Sequence, residues 1–228
     1  MIGERKQMKN KIMPFVLFIF IVSACNPEDI ISEFGDSVIT AKSKVGEVLN
    51  TAKSNFASDA KLAAVYGLNV NTKGQVDLLK PTENAFVYVV QSDSAQSNEF
   101  YVPVYNSYPI KSPINFNTML TFIKNAQAQN ILGSVFSRLA EVNISTSASY
   151  DDSPQVMEKM LARGDVSTFR AANPGGKIDM FLIPSKSLDT LNVRDEADWI
   201  VNFYGESSSL VLWLHPGTVS GTVDVLSN

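Results

Sequence analysis

From Ile31 to Val48 apolar residues recur at steps of three and four. Ile31, Phe34, Val38, Ala41, Val45 and Val48 form one stripe, which predicts a helix. Alanine-rich sequence extends it through "TAKSNFASDAKLAAV", to about Val65. Gly35 and Gly46 weaken that helix by roughly 1 kcal/mol each relative to alanine. After Gly67 the period changes. β-Branched and aromatic residues separated by turn residues predict strands near 68–71, 75–80, 85–92 and 99–106. "SDSAQSN" reads as a hairpin loop, and Pro103 as an edge or bulge position. "SPINFNTMLTFIKNAQAQNILGSVFSRLAEV" returns to helical spacing, bent or divided at Gly133. "DSPQVMEKMLARGD" predicts a well-bounded helix over 153–163. Asp152 or Ser153 caps it, Pro154 suits its first turn, and Gly164 ends it in a left-handed conformation. Strands follow near 177–184, 198–205, 208–215 and 219–226, with "YGESSS" and "HPGTV" as turns between the last three.

The first residues follow a different grammar. Arg5, Lys6, Lys9 and Lys11 precede an apolar run from Ile12 to Val22, which ends in Ser23 and Ala24. That is the three-part pattern of an export signal. Ile12 to Ala24 spans 13 residues, whereas a membrane-spanning helix needs about 20. Val22, Ser23, Ala24 and Cys25 resemble a bacterial lipobox. The resemblance implies a diacylglyceryl group on the Cys25 sulfur and cleavage before that residue. Several acyl chains then hold the protein to a bilayer, since each buried methylene contributes about 0.8 kcal/mol. An ordinary secretory cleavage that leaves a free thiol is the plainer reading. Asn26 stands where aspartate often marks inner-membrane retention in such lipoproteins, so the resemblance implies the outer membrane.

Charge and composition narrow the function classes. The formal net charge is −4, and it falls to −7 without residues 1–24, which hold four basic residues and one acid. An acidic chain with no basic cluster is a poor fit for nucleic acid. Hydrophobic residues make up 45% of the chain, which argues for packed structure over disorder. Cys25 is the only cysteine, so lipidation would leave no thiol for catalysis or for a disulfide.

Two stretches look alike. Gly74-Gln75-Val76-Asp77 and Gly176-Lys177-Ile178-Asp179 each lead into an aromatic strand, a polar loop and another apolar strand, and each follows a helical segment. The arrangement resembles the PepSY-like group of exported bacterial proteins, most strongly over 152–223, where Trp199, Tyr204, Trp213 and Gly221 fit the closing strands. His215-Pro216-Gly217 departs from it, since an Asp-rich turn would be usual there. The resemblance implies an α+β fold of two helix-plus-antiparallel-sheet, cystatin-like units. It implies peptidase inhibition or protein binding and carries over no catalytic residue. The expected organisation is a signal peptide (1–24), a lipid-anchored tether or helix (25–53), a first α+β unit (54–112), a helical connector (113–150) and a second α+β unit (151–228). A coiled-coil stalk over 27–65 is the alternative to a tether, but the heptad spacing lapses at Asn55 and Asp59.

Candidate chemistry is sparse. His215, the only histidine, precedes a turn, and no G-x-S-x-G pattern accompanies it. Asp151 and Asp152 read as helix caps. Asp195, Glu196 and Asp198 read as a solvated loop, because their spacing lacks the alternation of a calcium loop. "NPGG" (173–176) lacks a phosphate-loop lysine and reads as a turn entering a strand. No metal or cofactor is expected. Among the aromatics, Tyr88, Tyr101, Trp199, Tyr204 and Trp213 are candidate binding residues for a peptide or glycan if half of each alternating set faces outward. The plainer expectation is that a covering helix buries most of them. The reading that emerges is a non-enzymatic, lipid-anchored binding module of the bacterial envelope, with a bilayer partner through Cys25 and an envelope protein, peptide or glycan as ligand. A hydrolase with a single-histidine or carboxylate site is the alternative.

Overall fold

The computed structural model describes residues 37–79, 84–95, 99–106, 143–144, 148–185, 197–215 and 223–227. Along them run β1 (Val38–Ile39), α1 (Val45–Asn55), β2 (Lys61–Leu68), β3 (Val76–Asp77), β4 (Ala85–Gln91), β5 (Val104–Tyr105), α2 (Ser153–Leu161), α3 (Gly164–Ala172), β6 (Lys177–Pro184), β7 (Ala197–Tyr204), β8 (Ser209–Leu214) and β9 (Val223–Ser227). The lipobox residues Val22, Ser23, Ala24 and Cys25, and the helix expected within 113–142, lie outside the described residues. The fold is mixed α+β. Seven strands form one antiparallel sheet in the order β5-β4-β2-β6-β7-β8-β9, and β1 pairs with β3 separately. Strands from both halves of the chain thus share one sheet, joined where β2 meets β6 (Val65↔Leu182, Tyr66↔Phe181, Gly67↔Met180).

Through β2, β4, β6 and β7 both faces of this sheet are buried. Helices α1, α2 and α3 place Val48, Ala52, Val156, Met157, Met160 and Val166 against one face, on Phe86, Tyr88, Met180, Trp199 and Phe203. The opposite face buries Tyr66, Val87, Val89, Phe181, Ile183, Ile200 and Val211, and none of the described helices contributes to it. Covering both sides abolishes the polar alternation of a half-exposed strand. β4 is buried at every position, and β6 and β7 at all but one.

That burial explains the main correction. Residues up to Val65 read as helix, yet Lys61–Leu68 is β2, with six consecutive buried positions. An uninterrupted apolar run carries no period that separates strand from helix, and its alanines favour the helical reading. Among the described residues of that stretch, the helix covers Val45–Asn55. Val38, on the expected apolar stripe, is 40% exposed, whereas Ile39 is buried, because these two residues alternate as a strand. Of the strand expected at 68–71 only Leu68 belongs to one, as the end of β2, and Asn69 leaves the sheet at φ 46°.

Helix α2 begins as expected. Asp152 is its cap and Oδ1 accepts from Ser153 N at 2.7 Å. Gly164 does not end it. Ala162 closes α2, Arg163 turns extended (φ −83°, ψ 139°), and Gly164 opens α3. The Arg163 guanidinium spans this corner to Asp165, with Nε–Oδ1 3.0 Å and Nη2–Oδ2 2.6 Å. The Gly-x-x-Asp match is likewise not a structural equivalence. Val76-Asp77 pairs with Val38–Ile39 outside the main sheet, whereas Ile178-Asp179 lies within it.

The Asp152 carboxylate also ties distant chain together. Thr40 Oγ1 donates to Oδ2 (2.6 Å) and Lys42 N to Oδ1 (2.9 Å), while Ala41 N donates to Ser153 Oγ (3.0 Å). Tyr88 and Trp199 complete the knot from the core, donating to Ala41 O (3.0 Å) and Asp151 O (2.9 Å). Asp152→Ala removes the cap and two cross-chain bonds together. It is expected to lower unfolding stability by about 2 kcal/mol, read as a drop in urea midpoint at unchanged slope. Asp152→Asn keeps an acceptor oxygen and is expected to lose less.

Candidate functional site

Two turns meet at one end of the sheet. "NPGG" leads from α3 into β6, with Gly176 N donating to Asn173 O (2.9 Å), and "YGESSS" joins β7 to β8, with Gly205 N donating to Ser208 O (2.9 Å). Asn173 fastens one turn to the other. Its Nδ2 donates to Phe169 O (3.0 Å) and its Oδ1 accepts from Ser208 Oγ (3.1 Å). A Cβ on Gly205 would lie 2.2 Å from that Oδ1, so only glycine lets the turns approach this closely. Between them lies a cleft of about 590 Å³, lined by residues 172–177 and 204–207. A smaller recess of about 180 Å³ adjoins it on the helical side, with Thr72, Phe169, Arg170 and Phe203 in its wall.

A buried polar layer reaches the cleft through Tyr204. Asp179 is 1% exposed. Its carboxylate accepts from Asn69 N (2.8 Å), Tyr66 OH (3.0 Å) and Tyr204 OH (3.3 Å). Burial pushes its pKa up to about 6, while these donors and Lys177 pull it down. The same burial, with the carboxylate beside it, drives the Tyr66 hydroxyl far above its ordinary value. Across the ladder from Asp179 stands Asn202, fully buried, whose side-chain nitrogen and oxygen have no hydrogen-bond partner among the described residues. Sequence reasoning missed this layer. Its signal was a carboxylate in the middle of the apolar run "KIDMFLIP".

At the other end of the same strands sits the lone histidine. His215 Nε2 lies 3.0 Å from Asp224 Oδ2, Nδ1 lies 3.7 Å from Asp198 Oδ2, and the ring packs on Trp213 at 4.0 Å. Asp198 is not in a solvated loop. It is 3% exposed within β7 and accepts from Ser185 Oγ (2.7 Å) and Trp213 Nε1 (2.9 Å). Asp195 and Glu196 lie outside the described residues. The order here is hydroxyl, carboxylate, imidazole. A catalytic triad places the imidazole between the other two so that it can take the hydroxyl proton, and this geometry gives Ser185 no such path.

The candidate aromatics divide. Tyr88 and Trp199 are buried in the core, 0% and 1% exposed, and present no face to a ligand, because α1, α2 and α3 cover that side of the sheet. Tyr101, Tyr204 and Trp213 are partly exposed. Of these, Tyr204 lines the cleft, Trp213 carries His215, and Tyr101 packs on Phe56 at 6.1 Å. Among the described residues no cluster of three or more His, Cys, Asp or Glu side chains could hold a metal ion. No described helix is long and apolar enough to cross a membrane. Comparison with protein-family models, curated proteins and solved structures returns no match.

Proposed function

We propose that this chain is a lipid-anchored protein of the bacterial envelope whose folded part binds an envelope component and catalyses no reaction. The Val22-Ser23-Ala24-Cys25 lipobox pattern supports the address, with the outer membrane as the default. The cleft between the 173–176 and 204–208 turns carries the binding half of the reading. It is pre-formed by Asn173, and its volume is in the range of small-ligand sites, ~300–1,000 Å³. The order Ser185, Asp198, His215 supports the non-catalytic half.

A PepSY-like duplication belongs to the same proposal. α1 is followed by β2, β4 and β5, and α2 with α3 by β6 to β9. The two series meet back to back at β2 and β6. That order supports two helix-plus-sheet units fused through their first strands.

The address is tested by labelled palmitate. Incorporation is expected in the parent chain and lost in Cys25→Ala; equal labelling of both would remove the anchor. Binding is tested with a photocrosslinking residue at Glu206 in the cleft or at Val225, which is 46% exposed on β9. An envelope adduct is expected from the first position alone. Equal adducts from both, or none from either, would overturn the cleft as the binding site.

A further inference from the structure

The cleft's wall carries chemistry that selects among ligand classes. Lys177 and Glu206 bring opposite charges to the same space, so no single-sign field marks it for an ion. Ser207 adds a hydroxyl, and Gly175, where a Cβ would meet nothing within 4 Å, lets a ligand approach the main chain closely. Tyr204 is the aromatic residue among those that line the cleft. Its hydroxyl is held by Asp179, so the ring is fixed before any ligand arrives, and such fixing reduces the ordering cost of binding.

An extended peptide would need an unpaired strand edge to add to. At Tyr204 the cleft offers none, since both edges of that residue are paired. Lys177 pairs with Tyr204, and Tyr204 pairs in turn with Ser209, because β6, β7 and β8 are interior strands. What remains is a ring beside closely spaced donors and acceptors of mixed sign. That combination suits a ligand with an apolar C–H face and a rim of neutral hydroxyls.

We propose that the cleft is a saccharide site, with Tyr204 as the stacking platform, Glu206, Ser207 and Lys177 as the hydroxyl partners, and Asp179 as the residue that positions Tyr204. The assignment rests on the binding reading above and deepens it.

The test is calorimetric titration of the full chain in detergent micelles with a β-linked N-acetylglucosamine tetramer, an α-linked glucose tetramer and a mixed tetrapeptide pool. Saturable binding of at least one sugar is expected, weakened about tenfold or more by Tyr204→Ala, a loss equal to about 1.4 kcal/mol. Val225→Thr is expected to bind like the parent. Asp179→Asn is expected to weaken sugar binding while Tyr204→Ala in that background adds less than it does alone, which a merely structural role for Asp179 would not produce. Failure of both sugars, or binding unchanged by Tyr204→Ala, overturns the saccharide assignment. If the peptides bind in a Tyr204-dependent manner instead, the assignment falls while the binding reading stands. If Glu206 also gives no envelope adduct, both fall.

Discussion

Gly74→Ala is expected to lower the unfolding free energy by roughly 3–5 kcal/mol, at the upper end of single-substitution effects. Two independent costs combine. Gly74 has φ +68°, a conformation that costs an L-residue about 1–2 kcal/mol. A Cβ there would also lie 2.3 Å from Ser153 O and 2.5 Å from Ser153 C. Neither side can yield cheaply. Gly74 sits in a turn closed by Asn71, whose Oδ1 accepts from Lys73 N (2.8 Å) and Gln75 N (3.0 Å). Ser153 is the first residue of α2 and holds Ala41 N. Moving α2 away would strain the knot that joins residues 40–42 to the Asp152 cap. Gly164→Ala is the comparison. Its Cβ would meet nothing within 4 Å, so it is expected to be neutral or stabilising by up to about 1 kcal/mol. Urea unfolding of the two variants beside the parent decides the matter. A cost at Gly74 below about 1 kcal/mol would mean that the turn and α2 do not abut as described.

The same turn shows how legibility varied along the chain. Gly74 was visible only as half of a Gly-x-x-Asp match; the contact that makes it matter joins residues 79 positions apart, and no local pattern encodes that. Some strands with dense β-branched and aromatic content were legible almost to the residue, whereas those expected at 75–80 and 99–106 shrink to Val76–Asp77 and Val104–Tyr105. Expected strands at 177–184 and 198–205 correspond to Lys177–Pro184 and Ala197–Tyr204. β2 was hidden because burial on both faces removed its alternation and its alanines mimic helix. α3 was hidden because "GDVSTFRAA" buries only Val166, leaving no stripe to detect, and because Gly164 reads as a stop.

The candidate site was less legible than the fold for a related reason. Its two turns were each recognised, but separately. Their meeting depends on Asn173 reaching Ser208 and on Gly205 leaving room, and neither residue stands out locally. Asp179 and Asp198 were the missed signals. A carboxylate inside a run that is otherwise apolar must be hydrogen-bonded or neutral once buried. Both sit in such runs, and both are found with several donors around them.

Asp179 also makes the second large effect, a dependence of stability on pH. Its folded pKa is about 6, against an ordinary carboxylate value of roughly 3.9 in the unfolded chain. Between those values the folded state holds the proton more tightly, so the unfolding free energy falls as pH rises. The contribution is fully present below about pH 4 and is lost as pH passes 6, for a total of roughly 3 kcal/mol from a shift of about two units. Carboxylates held below their usual range, such as Asp165 beside Arg163, act in the opposite sense and at lower pH, so the parent curve mixes the two. The difference between Asp179→Asn and the parent isolates the Asp179 part. Asparagine cannot ionise, yet its oxygen can still accept from Asn69 N or Tyr204 OH. The variant is therefore expected to gain on the parent steadily from pH 4 to 6.5, by up to about 3 kcal/mol, and then to run parallel to it. Parallel curves across the whole range would show that Asp179 is not charged and buried as its surroundings require. Since Tyr204 OH donates to this carboxylate, the same window is where the aromatic wall of the cleft should change its anchoring. Comparing the stability difference with saccharide affinity over pH 4–7 tests whether Asp179 steadies only the sheet or the cleft as well.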